Sequence, residues 1–75
     1  MLCYKIDIIQ ALRFKGFTSA RIRKEKLLSE STLQKLRNDI MISTDNLGRI
    51  CSMLRCDIGD IIENIPTDEE KIKYY

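Results

Sequence analysis

Between Arg13 and Asn38 stand eight basic residues (Arg13, Lys15, Arg21, Arg23, Lys24, Lys26, Lys35 and Arg37) and only two acidic ones, Glu25 and Glu30, a local net charge of +6. The rest of the chain carries five basic and nine acidic residues, a net −4, so the overall +2 hides a strong division. Guanidinium and ammonium groups gathered in this way suit polyanions, and such a cluster is the electrostatic footprint of a phosphate-binding face. A solvated charged surface is the plainer alternative; the helical pattern of the same stretch tips the balance toward binding. Catalytic chemistry finds little to work with. There is no His, no Gly-rich phosphate loop and no pair of carboxylates framed for acid and base work. The three cysteines lack Cys-x-x-Cys spacing, so a zinc site would want for ligands. Cys51 and Cys56 read as small buried hydrophobes in a reducing compartment, and Cys3 as an exposed thiol without a role.

The stretch that must position the basic residues runs from Thr18 to Asn38. Thr18 after Gly16-Phe17 is a helix N-cap, and Ser29 is a second one eleven positions on. The first short helix, about Ser19 to Lys26, turns Ile22 inward. The turn falls at Leu27-Leu28, with Leu28 inward. The second helix, Glu30 to Arg37, turns Leu33 and Leu36 inward and presents Glu30, Ser31, Gln34, Lys35 and Arg37 on its outer side. Two short helices with a tight break and a polar-faced second member form the helix-turn-helix pattern.

Around this unit the spacing predicts three more helices. Tyr4 to Lys15 repeats apolar residues at Tyr4, Ile8, Ala11 and Leu12, with Gly16 as its C-terminal stop and Phe17 as a staple under the next helix. Asn38 is expected to stop the third helix in a left-handed conformation. Asp39 to Ile42 is an apolar linker. A helix from Ser43-Thr44-Asp45 carries Leu47, Ile50, Cys51 and Leu54 inward, and Gly48 on its polar side marks a possible close approach of backbone. Asp57 caps a fifth helix, Ile58 to Asn64, with Ile58, Ile61 and Ile62 inward, ended by Asn64-Ile65-Pro66. Thr67 to Tyr75 is expected to fray, to extend a short helix, or to dock on a partner. The expectation is one all-α domain over residues 1–75, compact and five-helical, with residues 68–75 as a flexible tail. At 75 residues such a chain buries only about 60% of its unfolded surface, so its stability margin is thin. No apolar run approaches the ~20 residues of a membrane span, and no leader pattern is visible, so a cytoplasmic location is expected.

The late motif Leu47-x-x-Ile50-Cys51-x-x-Leu54-x-Cys56-Asp57-x-Gly59-Asp60-Ile61-Ile62-Glu63 and the earlier Ser29-x-Ser31-Thr32-Leu33-x-Lys35-Leu36 resemble the Cro/C1 family of DNA-binding domains, the lambda-repressor-like or XRE type. The likeness spans about Ile8 to Glu63 and is greatest to the short stand-alone regulators of Gram-positive bacteria and their mobile elements, the VanU-type regulators of glycopeptide-resistance operons among them. It implies a sequence-specific, double-stranded-DNA-binding transcriptional regulator, with residues 30–37 as recognition helix. Ser19 matches a phosphate-contact position; Glu30, Ser31 and Lys35 match positions facing base edges; Gln34 and Arg37 border them; Asn38 onward matches a segment offering backbone N–H groups to phosphate. The residue chemistry agrees. Lys donates to guanine O6/N7, Glu accepts from cytosine N4, and Ser or Gln reads several edges. Arg21, Arg23 and Lys24 suit phosphates, and Glu30 equally suits a helix-dipole role. Two departures stand out: the family usually has a small residue where Arg23 stands and Gly where Leu27 stands, which would strain the turn at Leu27. No cofactor, metal, membrane or small-molecule ligand is expected. One short recognition helix covers too few base pairs for tight binding alone, which implies a homodimer, at least on DNA. The competing reading is a protein-interaction module, antitoxin-like, using the acidic surface of helices 4 and 5; Asp57 to Glu70 holds six acidic residues and no basic one.

Overall fold

A computed structural model describes all residues from Met1 to Tyr75. The elements in chain order are β1 (Leu2–Tyr4), α1 (Ile8–Phe14), α2 (Ser19–Lys24), α3 (Glu30–Arg37), α4 (Thr44–Leu54), a 3-10 turn (Ile58–Asp60), β2 (Ile62–Asn64) and α5 (Asp68–Tyr74). The molecule is mostly helical, with one small sheet in which β1 and β2 run antiparallel, Cys3 opposite Glu63. No helix is long and apolar enough to cross a membrane.

Each helix begins on a side chain that accepts a hydrogen bond from an otherwise orphaned N–H group. Thr18 takes the Arg21 N–H at 3.2 Å, Ser29 the Thr32 N–H at 3.1 Å and Ser43 the Asn46 N–H at 3.3 Å. Asp7 takes the Gln10 N–H at 3.1 Å. That cap sets the true start of α1 at Ile8, four residues later than the helical spacing of Tyr4 predicts. Leu2 to Tyr4 lie instead in β1, because a strand partner sixty residues away offers them ladder hydrogen bonds.

The four helices α1 to α4 also end alike. In each, a left-handed residue lets the following N–H bond the carbonyl five residues back, a Schellman closure. The bonds are Phe17 to Leu12 at 2.9 Å, Leu27 to Ile22 at 3.0 Å, Ile40 to Lys35 at 2.8 Å and Cys56 to Cys51 at 3.0 Å. The left-handed residues are Gly16, Lys26, Asp39 and Arg55, with φ of 87°, 54°, 55° and 56°. Gly16 falls where the sequence placed it. The other two expectations shift by one residue: Lys26 rather than Leu27 takes the strain, and Asp39 rather than Asn38, whose φ is −99°. Leu27 is thereby released to pack against the core, which explains why no Gly is needed there.

Eleven apolar side chains form the core: Ile8, Leu12, Ile22, Leu28, Leu33, Leu36, Ile42, Leu47, Ile50, Leu54 and Ile61. The inward set expected of α2, α3 and α4 is among them except Cys51, which is only partly buried against the core because it sits in the last turn of α4, beside open grooves. Ile42 closes over the core while Ile40 stays exposed, its carbonyl taking a 2.9 Å hydrogen bond from the Tyr4 hydroxyl. A Cβ on Gly48 would meet nothing within 4 Å, so no backbone approaches there.

The predicted fifth helix over 58–64 does not form. Asp57 starts a single 3-10 turn, its N–H donating to Asp60 Oδ2 at 2.9 Å, and the chain then straightens into β2. Ile61 is wholly buried, Ile62 half-buried, and Ile58 46% exposed rather than inward. Ile61-Ile62 is compatible with either period, and pairing with β1 decides it. Of the three fates considered for the end of the chain, a short helix is the one found. Thr67 and Glu70 cap α5 reciprocally at 3.1 Å in both directions.

Candidate nucleic-acid interface

Helices α2 and α3 are joined by residues 25–29. Ile22, Leu28, Leu33 and Leu36 pin both helices to the core, which leaves their polar sides outward. At the junction, the Arg23 guanidinium grips the Glu30 carboxylate with two hydrogen bonds, Nε to Oε2 at 2.7 Å and Nη2 to Oε1 at 3.0 Å. Arg37 Nη1 approaches the same carboxylate at 3.8 Å. This bidentate pair ties the last turn of α2 to the first turn of α3. The Arg23 hydrogen bond, reinforced by the charges of Arg23 and Arg37, holds the Glu30 carboxyl below its usual range. The large side chain that departs from the family's small residue at this position therefore has a local reason: it reaches out to Glu30 instead of wedging between the helices.

Beneath this surface runs a second tie that the sequence reading did not foresee. Thr32, the one buried polar residue, shares a hydrogen bond of 2.9 Å with Ser29 Oγ and accepts one of 3.2 Å from Asn46 Nδ2. Asn46 lies on α4, so the bond fixes the first turn of α3 against the long helix. A hydroxyl in a buried position three residues after an N-cap is a visible signal, but its α4 partner is not.

The remaining site residues divide by whether they are already engaged. Arg21 lies 4.6 Å over the Phe17 ring, pairs with Glu25, and donates from Nη1 to the Gly16 carbonyl at 3.3 Å. Phe17 is thus covered from outside by a cation as well as packed from within. Gln34 receives a long 3.4 Å contact from Arg37, and Asn38 Nδ2 donates to the Gln34 carbonyl at 3.1 Å. Ser19 is half-buried at the first turn of α2, under the Thr18 cap. Ser31 and Lys35 stand exposed on α3, and Lys24 and Lys26 stand exposed at the end of α2. The structure thus gathers Arg23, Glu30, Gln34, Arg37 and Asn38 into one connected polar surface with Ser31 and Lys35 on the same helix. It places Arg21 apart from them, on the Phe17 side.

A family model of Cro/C1-type helix-turn-helix DNA-binding domains matches residues 7–67. The chain belongs to this family. No curated protein and no solved structure matches it. The Cro/C1-type match begins at the Asp7 cap and ends at the Thr67 cap, so it takes in α1 to β2 and leaves β1 and α5 outside. The family is one of DNA-binding domains and not of enzymes.

Proposed function

We propose that this Cro/C1-type domain is a sequence-specific transcriptional regulator that lays α3 in the major groove of double-stranded DNA. The observation that carries this reading is the two-sidedness of α3. Leu33 and Leu36 anchor one side, while Ser31, Gln34 and Lys35 face solvent on the other. Lys35, with no ion-pair partner, is the base-reading donor, and guanine O6/N7 its natural acceptor. Ser31 and Gln34 read neighbouring edges. Ser19 at the start of α2 and the backbone around Asn38 meet phosphate, with Arg21, Lys24 and Lys26 supplying the positive field. Glu30 stays on Arg23 in the free protein and so acts first as the clamp that sets the angle of α3; either partner can turn to DNA only by giving up that pair.

One α3 of eight residues spans few base pairs, so a homodimer on a palindromic site, with half-sites about 34 Å apart, completes the reading. Like charge keeps the copies from meeting through the basic face. Ile65, Ile72, Tyr74 and Tyr75 at the far end and Ile40 in the linker are exposed apolar groups fit for the contact. Ile42, buried in the core, is not.

Selection from a pool of randomised duplexes tests the proposal. Enrichment of a palindromic motif is expected, with affinity falling steeply as salt rises. Lys35→Ala is expected to cost about 1–3 kcal/mol on the selected site and to relax preference at one position of each half-site. A pool that stays random through successive rounds would reject the reading, and a one-to-one complex on the palindrome by sedimentation would reject the dimer.

A further inference from the structure

The four Schellman closures place the residue three before the helix end against the residue two beyond it. In α1 that pair is Leu12 and Phe17, in α2 Ile22 and Leu27, in α3 Lys35 and Ile40. Such pairs are usually apolar contacts. In α4 the same two positions hold thiols, Cys51 and Cys56. The Cys56 N–H donates to the Cys51 carbonyl at 3.0 Å. With standard backbone bond lengths, that bond confines the two Cα atoms to within about 6.8 Å of each other, the span that a disulfide covers. Both residues are free thiols and half-buried, not sealed in the core as the sequence suggested. Both line the same two open surface grooves, one walled by Leu47, Ile58 and Ile62, the other by Arg55, Asp57 and Asp60. A reagent from solvent can therefore reach them, and no DNA-facing role occupies them.

We propose that Cys51 and Cys56 form a dithiol site that reacts with low-molecular-weight disulfides and closes to an intramolecular disulfide across the C-terminal end of α4. The Cys51 thiolate attacks one sulfur of RS–SR; the S–S bond breaks and RS⁻ leaves to take up a proton. The Cys56 thiol then loses its proton, and its sulfur attacks the Cys51 sulfur of the mixed disulfide, releasing the second RSH. Two protein thiols are oxidised by two electrons, and one small disulfide is reduced to two thiols. Burial pushes the Cys56 thiol up in pKa, and neighbouring Cys51, Asp60 and Asp57 push the same way, which suits Cys56 to the second, resolving step. Cys3 is held elsewhere, on β1, its thiol donating to the Met1 carbonyl at 3.6 Å.

The test treats the reduced native chain with oxidised glutathione, quenches with acid, and maps the products by mass. Trypsin cuts after Arg49, Arg55 and Lys71, so the bridge would join peptide Ile50–Arg55 to peptide Cys56–Lys71 with the loss of two hydrogens. That linked pair is the expected product. In Cys56→Ser, which lacks the resolving thiol, the expected product is a glutathione adduct retained on Cys51. The fold should raise the ratio of bridge to mixed disulfide by about tenfold or more over the same chain in concentrated urea, because the helix end holds the thiols together. Stable glutathione on Cys51 or Cys56 without a bridge would overturn the proposal. So would a bridge from either to Cys3, or a ratio no higher in the folded chain than in urea.

Discussion

The molecule is assembled on two different plans. From Asp7 to Leu54, neighbours in sequence are neighbours in space: each helix is started by its own cap, stopped by its own left-handed residue, and buried along one stripe. The sheet and α5 follow the other plan. Their order comes from β1 meeting β2 across the whole chain, with the terminal ammonium bonded to Asn64 Oδ1 at 2.7 Å and Glu70 Oε1 at 3.2 Å. The first region is basic and carries its stability in leucine and isoleucine. The second is acidic and is joined by one backbone ladder and a single exposed ion pair, Met1 to Glu70, with Ile72 and Tyr75 more than 80% exposed. A surface that must hold a helix at a fixed angle is built on packing, and polar ties at the opposite end are free to yield.

The largest effect should come from cutting into the packed region. Leu33 is fully buried, and Leu33→Asp would place a lone carboxylate among leucines at a cost of more than about 4 kcal/mol. That is most of the stability of so small a domain, so helical circular dichroism should collapse at room temperature. A variant that melts like the parent would show that α3 is not anchored through this residue.

Breaking the other region should cost less and stay local. Met1 and Ile65 exchange hydrogen bonds, at 2.9 Å and 3.0 Å, so antiparallel alternation makes Cys3 and Glu63 the next bonded pair. Cys3→Pro removes that N–H and should cost about 2 kcal/mol. Amide exchange should quicken in β2 and α5 while α2 to α4 keep their protection. Uniform loss of protection across the chain would erase the distinction drawn between the regions.

Smaller still is the effect at the turn between α2 and α3. Lys26→Gly relieves a left-handed side chain and should raise stability by up to about 1 kcal/mol, offset by the freer unfolded chain. Leu27→Gly loses packing and should lower it by about 1–2 kcal/mol. Chemical denaturation of the two variants reads the sign directly, and a gain at Leu27 instead would move the strained position back to where the sequence suggested.

The least effect concerns charge. The Glu30 carboxyl titrates below the ordinary carboxylate range because Arg23 bonds its ionised form. A depressed folded pKa means that this contribution is complete above the unfolded-state value and is lost as pH falls through the folded one. The Glu30 carboxyl resonance should therefore titrate low in the parent and return toward the ordinary value in Arg23→Ala. An unchanged midpoint would mean that the pair does not persist in solution.

How much was legible in the sequence follows the same division. Thr18, Ser29 and Ser43 announce three helix starts, and Ile22, Leu33, Leu36, Leu47, Ile50 and Leu54 announce the inner faces, because caps and 3.6-residue stripes are local signals. Tyr4 misled: its spacing to Ile8 fits a helix, and nothing near it reveals a strand partner at Ile62. Ile58 misled in the same way, since a capped turn followed by two isoleucines has the opening of a helix. At the candidate interface, the polar outer side of α3 was visible from spacing. The Arg23–Glu30 clamp was not, because the two residues are seven apart across a turn whose geometry depends on Lys26 going left-handed.

The central claim, that the packed basic region faces DNA and the sheet and α5 do not, is tested most directly by amide chemical shifts during titration with the selected duplex at moderate salt. The account predicts the largest changes from Thr18 to Asp39, above all at Ser31, Gln34 and Lys35, with β1 and β2 nearly still. Changes concentrated in β1, β2 and the 3-10 turn, with α3 silent, would contradict it.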